Sequence, residues 1–115
     1  MTKAFKIPPS EIRPIAVGFG SCYASDQITV DGRRVGFMYR EAPDNKVDSG
    51  WRFFSGAETQ EYTDNPANFE IYDVNTIANY DPSITEFLDA PPGSAYARNA
   101  AGVFEREGPP VEPGV

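Results

Sequence analysis

The sequence predicts an α+β fold: a curved, mainly antiparallel sheet with two or three short helices in the second half. Three observations carry this expectation. Runs rich in β-branched and aromatic residues crowd the first half, at 15–19, 28–39 and 51–54. Helical spacing enters only after residue 58, and no regular strand–helix–strand alternation appears. At 115 residues the chain suits one hydrophobic core, so residues 1–107 read as a single domain. Residues 108–115, with three prolines and two glycines, read as a flexible tail.

The elements follow in order. Residues 1–13 form a lead-in, because Pro8, Pro9 and Pro14 block a helix. Ile15-Ala16-Val17-Gly18-Phe19 alternates bulky and small residues and reads as a first strand. Gly18 and Gly20 there leave room for another backbone to approach closely. Ile28-Thr29-Val30 and the run from Arg33 to Arg40 flank Asp31-Gly32, a pair suited to a two-residue type I′ turn. Residues 27–30 and 33–40 are therefore expected to form a hairpin, with Ile28, Val35 and Phe37 buried.

Glu41 to Gly50 is polar and reads as a loop, after which Trp51-Arg52-Phe53-Phe54 returns as a strand antiparallel to Phe37–Arg40. Side-chain alternation puts Trp51 and Phe53 on one face and Arg52 and Phe54 on the other. Trp51 is then core, while Phe54 serves a second layer or a contact patch.

Glu58 to Tyr62 suits a short helix stopped by Asn65-Pro66, and Phe69 to Tyr72 a brief strand. Val74, Ile77 and Ala78 have helical spacing behind Asp73 as a cap. Asp81-Pro82 opens a further short helix, with Ser83 and Glu86 as an alternative capping box, and Ile84, Phe87 and Leu88 line one side of it. Ala95 to Arg98 and Val103 to Arg106 read as a last strand pair.

Charge is uneven. The net charge is −7, yet residues 41–89 hold eleven acids against two bases. Such a field repels nucleic acid and anionic membranes and attracts basic proteins; it also serves solubility. The single cysteine excludes an intrachain disulfide and favours a reducing compartment. No apolar run suits a signal peptide or a membrane span, so a cytoplasmic protein is expected.

The absence of histidine removes Ser–His and Cys–His pairs and imidazole metal ligands. Gly18-Phe19-Gly20 begins like a dinucleotide fingerprint, but Tyr23 stands where a glycine is required. Asp44 to Gly50 superficially suggests a calcium loop, but Lys46 and Ser55 occupy positions that need oxygen ligands, the last a glutamate. The carboxylate pairs Glu58/Glu61 and Asp44/Asp48 sit in surface segments unsuited to a glycosidase cleft. No catalytic residue, metal or cofactor is expected.

One resemblance is specific. Ser25-Asp26, Ile28 to Gly32, Val35 to Glu41, Pro43 to Asn45, Asp48 to Gly56, Glu61-Tyr62, Ile71 to Pro82 and, more loosely, Gly93 to Arg98 together resemble a bacterial family. It was once catalogued as a domain of unknown function and is now labelled immunity protein family thirty-three, linked to polymorphic toxin systems. The similarity covers roughly residues 15–98. It implies a non-catalytic protein that neutralises a bacterial toxin by direct binding.

Joined to the charge, this gives an acidic surface meeting a basic toxin, with Asp44, Asn45, Asp48, Glu58, Glu61 and Asp64 as partner-binding candidates. The alternative is a small-ligand or regulatory domain with a pocket near the Asp44–Trp51 loop. A histidine-free hydrolase comes third. Neither nucleic acid nor membrane is an expected partner, and oligomeric state is left open.

Overall fold

The computed structural model describes residues 3–107; the expected tail at 108–115 lies outside the described residues. Six strands form one sheet in the order β4-β1-β3-β2-β5-β6. They are β1 (Ser21–Ser25), β2 (Phe37–Arg40), β3 (Asp48–Phe54), β4 (Phe69–Asp73), β5 (Ala95–Arg98) and β6 (Phe104–Glu107). Only β1 and β3 pair in parallel; the other neighbours are antiparallel. The helices are short: α1 (Asp26–Thr29), α2 (Gln60–Asp64), α3 (Val74–Tyr80) and a 3-10 helix at Pro82–Phe87. The α+β architecture and the mainly antiparallel sheet are as the sequence predicts.

The predicted hairpin at 27–40 does not form. Ser25 caps α1 instead, its Oγ accepting from the Gln27 backbone N–H at 3.1 Å. A type I′ turn needs positive φ at both central residues, yet of the two Gly32 alone has it, at 79°, and among the described residues no non-glycine does. Gly32 acts as the stop behind a helix, with the N–H groups of Val30, Asp31, Gly32 and Arg33 folding back onto the carbonyls of residues 26–28. Ile28 and Val35 are buried as expected. Phe37 is only half-buried, because β2 turns Met38 to the core.

The expected strand at 15–19 is also absent: that segment bends, and Ile15 and Val17 are exposed. The first strand begins at Ser21, where Gly20 does admit a close approach; a Cβ there would lie 2.4 Å from the Val47 carbonyl oxygen. The lead-in is held across α3, since Asn75 and Asn79 accept from the backbone of Arg13, Ile15 and Ala16.

The later elements stand close to where the sequence puts them. β3 starts at Asp48, taking in Ser49 and Gly50 that read as loop. It pairs with β2 in the register Phe37↔Phe54 through Arg40↔Trp51. Asp73 caps α3 and Asp81 caps the 3-10 helix, so no Ser83/Glu86 box is needed. The α3 side chains Val74, Ile77 and Ala78, with Ile84 and Leu88, pack on one sheet face against Cys22, Ala24, Met38, Trp51 and Phe53. β3 is central, and six of its seven residues are buried.

Gly50 within β3 has φ +87°, and a Cβ there would sit 2.1 Å from the Glu41 carbonyl oxygen. Left-handed strain alone costs about 1–3 kcal/mol. Gly50→Ala is therefore expected to lower the denaturation midpoint in urea by at least that equivalent. An unchanged midpoint would mean that the β2–β3 connection relaxes freely.

Candidate functional site

Alternation along the strands divides the sheet into a sealed face and an open one. Tyr23 of β1, Phe37 and Tyr39 of β2, Arg52 and Phe54 of β3, and Phe69 and Ile71 of β4 share the side away from α3. On this side α2 and the turn after it stand beside the strands, with Tyr62, Thr63 and Pro66 bordering the rings. Aromatic rings form a continuous row. Phe54 stacks on Tyr39 at 6.0 Å and 11°, meets Phe37 at 6.0 Å, and meets Phe69 edge-on at 5.7 Å. Tyr62 of α2 continues the row to Phe69. Tyr23, Tyr39, Phe54 and Phe69 line an open groove of about 820 Å³ that also takes in Glu41 and Arg52 and, from α2 and the turn after it, Thr63 and Pro66.

Arg52 anchors one end. Its guanidinium lies 4.5 Å over the Tyr23 ring and donates through Nε to Glu41 at 2.6 Å. Nη1 and Nη2 grip the two oxygens of Asp48 at 2.9 and 2.8 Å, and Nη1 also reaches the Trp51 carbonyl. Asp44 stands 3.6 Å from Nη2. The Arg52 and Asp48 side chains are 4 and 5 % exposed, whereas those of Glu41 and Asp44 are 49 and 66 % exposed. The Arg52 hydrogen bonds, outweighing burial and helped by the N–H groups of Asp44 and Gly50, hold the Asp48 carboxyl far below the usual carboxylate range.

The six predicted partner-binding residues fall into two groups, with the groove between them. Asp44, Asn45 and Asp48 belong to the loop leading into β3. There Asp48 is buried under Arg52, Asn45 accepts from the N–H groups of Val47 and Asp48, and Asp44 is exposed. Glu58, Glu61 and Asp64 cluster at α2. Glu58 is half-buried and accepts from the N–H groups of Ser55 and Gly56. Burial opposes its ionisation, but hydrogen bonds from Ser25 and these N–H groups prevail and lower its pKa. Glu61 and Asp64 are exposed, with Asp64 accepting from the Gln60 amide at 2.7 Å.

Sequence reasoning passed over Tyr23, Glu41, Arg52 and Phe69 as site residues. A signal for Arg52 was present, since a base between two core aromatics with an acid four residues before it suggests a satisfied, inward-held guanidinium. Cys22 is 1 % exposed, and burial, reinforced by Asp73, pushes its thiol well above the ordinary value. No group of three or more His, Cys, Asp or Glu that could hold a metal ion occurs among the described residues. Among them, too, no helix is long and apolar enough to cross a membrane.

One face of the sheet is thus sealed by helices, and the other carries a half-exposed aromatic groove with acids on either side. The family model of the immunity protein Imm33 domain matches residues 22–107, and the chain belongs to that family. Membership implies a cognate toxin protein as partner and toxin neutralisation as the role, in a class that is typically non-catalytic. No curated protein and no solved structure shows a significant match to the chain.

Proposed function

We propose that this protein neutralises its cognate toxin in the cytoplasm by direct binding, with the open sheet face as the contact and the acids on either side of the groove as its rim. The observation that carries the reading is the half-exposed aromatic row lying between two acidic groups. Exposed Asp44, Glu61 and Asp64 act as steering charges for a basic toxin surface. Asp48, Asn45 and Glu58 contribute by fixing the backbone and Arg52 in place. The small-ligand alternative would use the same groove, which reaches Glu41 and Arg52 on either side of the Asp44–Trp51 loop; the separate hollow lined by Tyr23, Asp44 and Asp48 measures only about 20 Å³, room for about one water.

The test reverses the exposed charges only. Of Asp44→Lys, Glu61→Lys and Asp64→Lys combined, the two at α2 are expected to change urea stability by no more than about 0.5 kcal/mol each, and Asp44→Lys to cost more, because it sets a second cation beside Arg52. Glu58, now seen to hold a turn, is left alone. The association rate with the cognate toxin should fall by roughly tenfold or more at low salt, and its dependence on salt should flatten. A folded triple variant that binds at the wild-type rate and still protects cells would remove the acidic rim from the mechanism.

A further inference from the structure

We infer, on the basis of the direct-binding reading above, that the Arg52 end of the groove receives a cationic side chain, arginine or lysine, from the toxin. Its stem would lie over Tyr39 and Tyr23 and its charge would end at Glu41 and Asp44.

The sign of the occupant follows from the charges at this end of the groove. One guanidinium stands among three carboxylates: Asp48, Glu41 and Asp44. Buried Asp48 alone balances Arg52 through a two-oxygen grip. Two negative charges are left over, and they are the exposed ones. Arg52 is no receptor for an anion, because Nε and both terminal nitrogens already donate to Glu41, Asp48 and the Trp51 carbonyl and its side chain is 4 % exposed. An incoming carboxylate or phosphate would meet Glu41 and Asp44 first and be repelled. An incoming cation meets two partly hydrated carboxylates, Glu41 held by Arg52 Nε at 2.6 Å and Asp44 standing 3.6 Å from Nη2.

The walls fit the same occupant. Guanidinium and ammonium groups bind over aromatic faces, and their aliphatic stems pack on apolar surface. One side of the Tyr23 ring is taken by Arg52, but the residue stays 38 % exposed. Tyr39 stacks on Phe54 within the groove floor. Burial and Glu41 raise the Tyr39 phenol pKa, so the ring stays neutral and its face suits a cation. A groove of about 820 Å³ also exceeds what one side chain needs, so the neighbouring residues of the toxin segment would lie along Phe54 and Phe69.

The experiment measures affinity for the cognate toxin with conservative variants. Glu41→Gln with Asp44→Asn retains an acceptor for Arg52 Nε while removing both surplus charges. Tyr39→Leu retains apolar volume while removing the ring face. Each is first checked for a wild-type melting curve. The double carboxamide variant is expected to weaken binding by about tenfold or more, and Tyr39→Leu by roughly threefold to thirtyfold.

Replacing the toxin's arginines and lysines singly by glutamine should then find one position with a comparable loss. That loss should vanish in the Glu41→Gln/Asp44→Asn background, as coupling requires. If both immunity variants bind as wild type, or no toxin cation couples to them, the cation-receiving groove is overturned while direct binding stands. If the wild type does not bind the toxin at all, both readings fall. Concentration-dependent self-association that Tyr39→Leu abolishes would assign the face to a second copy of this chain and overturn the inference as well.

Discussion

Asp48→Ala is expected to destabilise the protein by about 3–5 kcal/mol, because it strands a buried guanidinium. Glu41 would still hold Arg52 Nε, but both terminal nitrogens would lose their carboxylate, and the N–H groups of Asp44 and Gly50 would lose an acceptor. Such a loss is a large part of a typical domain's total stability. Asp48→Asn, which keeps one acceptor oxygen in place, should cost less.

The pair also predicts a pH dependence of definite sign. In the folded protein the Asp48 carboxyl is held below its ordinary value, chiefly by Arg52. A group depressed on folding contributes fully above the unfolded value of about 3.9 and loses that contribution as pH falls through the lower, folded value. Urea denaturation should therefore show a gap between wild type and Asp48→Asn that is widest near pH 7. It should narrow steadily below about pH 4. A gap that stays constant down to pH 2.5 would mean that the Asp48 charge contributes nothing and only its shape matters.

The sequence reads well where a local pattern has one physical solution. Asp73 ahead of Val74, Ile77 and Ala78 predicts a capped helix, and the structure places cap and buried face there. Trp51 to Phe54 alternates clearly, and its pairing with β2 follows. The pattern misleads where one dipeptide satisfies two solutions. Asp31-Gly32 suits a hairpin turn, but glycine at positive φ suits a helix stop equally. Ser25, three residues before Ile28 and able to cap a turn, decides for the helix. β1 is hard to see for another reason. Its inward residues, Cys22 and Ala24, are small because the helices pack close to them, so bulk gives no signal.

The site is legible only in part, since it is made by pairing distant strands. Arg52, Tyr39 and Tyr23 meet because β1 and β2 both flank β3, and no spacing along the chain announces a parallel β1–β3 neighbour. The six partner-binding candidates, five acids and Asn45, come from the charge distribution joined to the resemblance. Composition cannot tell exposed Asp44 from Asp48, which lies beneath Arg52 four residues later.

Trp51→Ala is expected to carry a loss as large as that at Asp48, by a different route. The indole is fully buried at the centre of the sheet, stacked on Phe53 at 6.0 Å and lying under the Arg40 guanidinium at 5.7 Å. Its Nε1–H donates to the Leu88 carbonyl at 3.2 Å, tying β3 to the segment after the 3-10 helix. Truncation removes that bond and leaves a cavity between sheet and helices. Large aromatic truncations of this kind cost about 3–5 kcal/mol. For a domain of this size each kcal/mol lowers Tm by roughly 4–8 °C, so a fall well above 10 °C is expected in a thermal melt followed by circular dichroism. Trp51→Phe should recover part of the loss by filling the cavity while leaving the Leu88 carbonyl only the longer bond from Arg40 Nη1 at 3.4 Å. Toxin binding at a temperature where the variant remains folded should stay near wild type, because Trp51 lies on the sealed face, opposite Arg52 and Phe54. A stable Trp51→Ala protein that fails to bind would reverse this assignment of faces and place the contact surface on the helical side.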